Sequence, residues 1–162
     1  MKPLLITPPT SPVVDLTDLR RHLRVDHDED DLLIVGLERS AVAHLDGWTG
    51  ILGRCILRQT WQIDLPAGRH TLPFPDVVEA FFDDGQDTAQ ISVASTLAGP
   101  VVSLPAAGML SFTCEMPPHL LPAAQVAVKM WVAEAYENRG TSASGNGAAF
   151  NAIVSALQWQ GR

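Results

Sequence analysis

The chain has 162 residues, of which 46% are hydrophobic and 18% charged, and a formal net charge of −7. That length suits one domain able to bury roughly 70% of its unfolded surface. The acidic balance argues against tight binding to nucleic-acid phosphates, which needs a basic surface. No apolar run approaches the ~18 residues of a membrane-spanning helix.

In chain order, residues 1–14 hold four prolines and few charges, and read as an extended N-terminal arm. The opening "MKPLLITPPTSP" does not have the build of a secretory signal. "DLTDLRRHLRV" (Asp15–Val25) predicts a short helix, with Leu16, Leu19 and Leu23 at helical spacing, acids early and arginines late. A second helix is predicted from Asp30 to about Trp48, with an apolar stripe of Leu33, Leu37, Ala41, Leu45 and Trp48, ended by Thr49–Gly50.

The middle changes character. "CILRQTWQIDL" (Cys55–Leu65), "VVEAFFDDG" (Val77–Gly85), "AQISVAS" (Ala89–Ser95), "PVVSL" (Pro100–Leu104) and "MLSFTCE" (Met109–Glu115) read as four or five short antiparallel strands between Gly/Pro turns. A third helix follows from Pro122 to Gly140, apolar on nearly every face, and so enclosed by its own domain or by a neighbour. "GTSASGNG" (Gly140–Gly147) reads as a flexible linker. "AAFNAIVSALQWQ" then predicts an amphipathic helix with Phe150, Ile153, Val154 and Leu157 on one face. The expected fold is α+β: a helical bundle of three to four helices with a small antiparallel β insert, at about 55–115, between the second and third helices.

The densest polar stretch is "HLRVDHDEDD" (His22–Asp31). Asp26, Asp28 and Asp30 alternate like the first ligands of a calcium loop, but the glycine and closing glutamate that such a loop needs are here Asp31 and Leu37. His22 and His27 offer nitrogen ligands without an HExxH or Cys/His pattern around them. A helix-turn-helix joint explains more of the stretch. Asp28 or Asp30 would accept from free N–H groups at the start of the second helix, where negative charge is also favoured.

Elsewhere, His44 and His70 are isolated and His119 precedes a helix. Ser40, Ser103 and Ser111 lack a nucleophile-elbow context. Trp48, Trp61, Trp131 and Trp159 read as core or interface anchors. Cys55 and Cys114 read as reduced, buried thiols, with a disulfide between them left open. No residue is assigned a catalytic, cofactor-binding or metal-binding role.

The segment "LTDLRRHLRVDHDEDDLLIVGLERSAVAHLDGWTG" resembles the opening of the phage head–tail connector (adaptor) family, where a short helix ending in "HLRVD" and an acidic joint lead into a long helix ending in "TG". "LRQTWQIDL" (Leu57–Leu65), the turn "DDG" (Asp83–Gly85) and "YENR" (Tyr136–Arg139) match the family's later features in order, over about residues 13–140. This chain has "CEMPPHLL" (Cys114–Leu121) where family members usually carry a Gly/Tyr-rich turn.

The resemblance implies a structural protein of a tailed phage, prophage or gene transfer particle, present at the head–tail junction and assembled in the bacterial cytoplasm. Residues 15–139 would be the adaptor domain, and residues 140–162 a linker with a docking helix. It implies a homo-oligomeric ring of about twelve copies beneath the portal protein. The ring would extend the DNA channel without binding DNA tightly, and would dock a stopper or completion protein on its tail-ward side, with no membrane partner and no cofactor. Trp131, Tyr136 and Arg139 are the expected subunit-interface residues. Phe150, Val154, Leu157 and Trp159 are the expected portal anchors. The alternatives are a tail completion or stopper protein and, from another class, a small metal-dependent hydrolase using the His22–Asp31 cluster.

Overall fold

The computed structural model describes residues 2–138 and 147–159. Its elements, in chain order, are β1 (Leu4–Thr7), α1 (Leu16–Leu23), α2 (Asp31–Leu45), β2 (Gln59–Leu65), β3 (Gly68–Thr71), β4 (Val77–Asp83), β5 (Thr88–Gln90), β6 (Ala94–Thr96), β7 (Gly99–Leu104), β8 (Gly108–Cys114), α3 (Leu121–Asn138) and α4 (Ala148–Leu157).

The strands form two antiparallel sheets. One has five strands in the order β1-β2-β8-β4-β5, the other three in the order β3-β7-β6. Alternation along β2 and β8 sends Trp61, Ile63, Leu110 and Phe112 inward. There they meet Ala80 and Phe82 of β4, Val102 and Leu104 of β7, and Leu72 and Phe74. Phe74 lies near the centre, 5.0 Å from the Trp61 ring and 6.1 Å from the Phe112 ring, both in tilted arrangements. The outer face of β2 and β8 is polar and tied across the strands. The Thr60 and Thr113 hydroxyls are 3.0 Å apart, and Gln62 Nε2 donates to Ser111 Oγ at 3.1 Å.

The four helices build a second core. Leu19 of α1, Ile34, Ala41 and Leu45 of α2, Ala124, Ala127, Val128 and Val132 of α3, and Phe150, Val154 and Leu157 of α4 are all buried there. α3 is the hub, packed by α1, α2 and α4, which explains its apolar residues on nearly every face.

The expected helical bundle with a small β insert is corrected by this arrangement. Among the described residues, eight strands in two sheets stand beside the four helices, with a hydrophobic core of their own. Nor are the strands confined to the stretch between the second and third helices. Leu4–Thr7 precedes the first helix and pairs with β2. The sheets bury a face of aromatic and branched side chains in a core of their own, so they form a layer and not an insertion.

Candidate functional site

The acidic joint folds from its neighbours upward. Asp15 caps α1, its carboxylate accepting from the Asp18 N–H at 2.8 Å. α1 ends at Arg24, a non-glycine residue in the left-handed region (φ 58°), and the Val25 N–H returns to the Arg20 carbonyl at 2.9 Å. Asp30 precedes α2 but makes no side-chain cap; its carboxylate accepts from the Tyr136 hydroxyl of α3 instead. The Asp31 N–H is taken by the backbone carbonyl of Asp28, at 3.2 Å. Asp31 forms an ion pair with Arg20 of α1, Nε to Oδ1 3.3 Å. The expectation of an aspartate side chain capping the second helix is thus replaced by acids that tie α2 to α1 and α3. Among the described residues, no three His, Cys, Asp or Glu side chains converge in a group that could hold a metal ion.

The residues expected at a subunit interface have partners inside the chain. Trp131 is half-buried, stacked on His44 with centroids 4.5 Å apart and tilted against Phe150 at 6.1 Å. Tyr136 is half-buried on Asp30. Arg139 lies outside the described residues. The expected portal anchors likewise face inward: Phe150, Val154 and Leu157 are buried in the helical core. Trp159 is half-buried, its N–H bonded to the Leu52 carbonyl at 2.7 Å and its ring over Gly99 of β7, where an added Cβ would stand 3.1 Å away. The C-terminal segment therefore spans from the helical core to the three-stranded sheet. Most of the linker, residues 140–146, lies outside the described residues.

Two buried polar groups hold the helical side to the sheet side. Asp46 follows α2 and accepts from the Ile56 N–H at 2.6 Å and from Gln59 Nε2. Burial raises its pKa, opposed by those hydrogen bonds. Arg54 and Asp76 form a buried ion pair at 3.5 Å. Burial raises the Asp76 pKa too, opposed by the charges of Arg54 and His119. Cys55 and Cys114 are free and buried, and burial, together with the neighbouring Cys114 thiol, pushes the Cys55 thiol up, away from reactivity.

The arm is held as well. The Val13 N–H donates to Glu38 Oε1 at 2.9 Å and its carbonyl accepts from Gln125 Nε2 at 3.1 Å, so the end of the arm, just before α1, is tethered to α2 and α3. A largely apolar cavity of about 520 Å³ lies under this segment, between residues 9–14 and α2.

Several apolar side chains and one acidic turn stand exposed. Leu32 and Leu33 start α2 exposed, Leu97 is exposed at the β6–β7 turn, and all of β1 is exposed. Residues 83–87, "DDGQD", form an acidic turn closed by its own side chains. Asp83 accepts from the Gly85 N–H, and Asp84 from the N–H groups of Gln86 and Asp87. Sequence reasoning placed this turn but missed β1, whose signal was the uncharged run "LLIT" between prolines.

No protein-family model and no curated relative matches the chain. Solved structures do. One chain of a structure described as the neck of an empty GTA particle, computed with C6 symmetry, superposes with a TM-score of 0.70 at 19% identity, covering 98% of this chain and 95% of that one. A chain of a structure described as the virion of a native gene transfer agent particle superposes with a TM-score of 0.71 at 18% identity, with the same coverage. Over nearly its whole length the chain thus shares its fold with chains of gene transfer agent neck and virion structures, in agreement with the resemblance to head–tail connectors.

Proposed function

We propose that the chain is a structural component of a tailed phage or phage-like particle, acting as a head–tail adaptor. Copies of it, about twelve, would form a ring under the portal, continue the DNA channel and present a docking surface to the next tail-ward component. The observation that carries this reading is the fold shared with a gene transfer agent neck chain over 98% of the sequence. The order of the matching sequence features over residues 13–140 supports it independently.

The surface chemistry is compatible with a conduit. A net charge of −7 and an exposed acidic turn repel DNA rather than hold it. The buried chemistry is that of a scaffold: the acids near the joint bind helices together, and both thiols are sealed in the sheet core. With Phe150, Val154 and Leu157 packed inward, a portal contact made by α4 in this state falls to its outer face, Ala152, Ser155 and Ala156.

Co-expression with the portal protein of the same particle tests the reading. The expected result is a stable complex that sediments as a ring on the portal and fails to form when the adaptor is omitted. Association with a tail protein, and none with the portal, would instead assign it the stopper or completion position.

A further inference from the structure

The five-stranded sheet has two open edges, β1 and β5, and among the described residues no other strand pairs with either. An open edge is a row of unpaired N–H and C=O groups, and proteins usually blunt it with charge, proline or a covering element. β1 has one bulge, between Leu5 and Thr7, but neither charge nor proline inside the strand. Leu4, Leu5 and Ile6 are 64%, 38% and 48% exposed, pointing apolar surface to both faces. Its prolines, Pro3, Pro8 and Pro9, stand outside the strand.

The two edges are complementary. Lys2, exposed, stands two residues before β1. β5, uncharged and fully exposed, is preceded by the acidic turn with Asp84 and Asp87. Direction matters as well. Four successive antiparallel pairings, β1 to β2, β2 to β8, β8 to β4 and β4 to β5, leave β1 and β5 running the same way. Copies related by rotation about an axis that keeps the strand direction would set β1 of one beside β5 of the next as a parallel pair. The leading ends of the two strands then meet, bringing Lys2 to Asp87. A β1–β1 contact between two copies would be self-complementary, would stop at a dimer, and would leave both lysines without an acid.

We propose that the β1 edge of one copy pairs in parallel with the β5 edge of the next, so that the five-stranded sheets run on around a ring. The partner is a second copy of this chain. The proposal rests on the ring-forming reading above and says which surfaces close the ring.

Charge exchange tests it in the full-length chain, with assembly read by native mass measurement, alone and on the portal. Lys2→Glu or Asp87→Lys should each raise the concentration at which rings half-form about tenfold, and the double variant should return it close to the wild-type value. Leu4→Lys with Ile6→Lys should prevent ring formation, while thermal melts like the wild type show an intact fold. Rings indifferent to all these changes, a loss that the double charge exchange does not restore, or an isologous dimer would overturn the edge pairing and leave the adaptor reading standing. A chain that stays a single subunit in every setting, portal included, would overturn both.

Discussion

At the scale of single residues, the polar groups worth most are those that are buried. Glu38 is buried on α2 and accepts the Val13 N–H, so its loss strands a donor. Glu38→Ala is expected to cost about 1–3 kcal/mol in a urea melt. Glu38→Gln keeps an acceptor oxygen and should cost less than about 1 kcal/mol. The Arg54–Asp76 pair is buried on both sides, and Arg54→Met would leave a carboxylate charge without its partner, at about 3–5 kcal/mol. Asp46 carries a pH signature. Burial lifts its folded pKa above the ordinary aspartate value of 3.8, so the folded state holds the proton more tightly than the unfolded chain. Stability from this group is therefore greatest at low pH and falls as pH rises from 3.8 through the folded value. Measured against Asp46→Asn, the wild type should gain relative stability as pH is lowered toward about 4, and a gap that is flat or moves the other way would contradict the assignment.

At the scale of elements, the turn after α2 and the C-terminal helix are the sensitive parts. Gly50 sits where an added Cβ would collide with the Leu45 and Asp46 carbonyl groups, so Gly50→Ala should destabilise by more than about 1 kcal/mol and lower the melting temperature. α4 buries Phe150, Val154 and Leu157, each worth about 1.5–3 kcal/mol when withdrawn from water. Removing residues 139–162 should abolish the cooperative melt, and a truncated chain that melts like the intact one would show that α4 is dispensable to the core. The helices were legible because their signals are local. The apolar spacing of Leu16, Leu19 and Leu23 and that of Phe150, Val154 and Leu157 do fall in helices, although the latter face packs inside the chain and not on a partner. The sheet was less so. "AQISVAS" reads as one strand, yet Thr88–Gln90 pairs with β4 while Ala94–Thr96 pairs with β7 in the other sheet. β3, "GRHT", lacks β-branched alternation and exists through its pairing with β7. β1 needs β2 as a template, and nothing within "LLIT" says that one is near. The second helix's cap failed for the same reason: Asp30 is drawn to Tyr136, more than a hundred positions away in the chain, a partner that local spacing does not contain.

At the scale of the whole molecule, two cores sit side by side, one of helices and one of sheet, stitched by Asp46, the Arg54–Asp76 pair and the C-terminal Trp159. That plan packs α3 against α1, α2 and α4, so most of its apolar residues are used inside the chain. Apolar surface is left exposed on the open strand β1, at Leu32 and Leu33 of α2, at Val126 of α3 and at Leu97. The proposed role was suggested in the sequence only by several short features in a fixed order, each weak alone, and the fold is shared with a gene transfer agent neck chain. The most direct test is imaging of the tailed particle that carries this chain. The account predicts a ring of copies between portal and tail, into which this fold fits. A particle in which the same fold occupies the capsid shell or the tail tube, with the portal meeting the tail through other proteins, would contradict it.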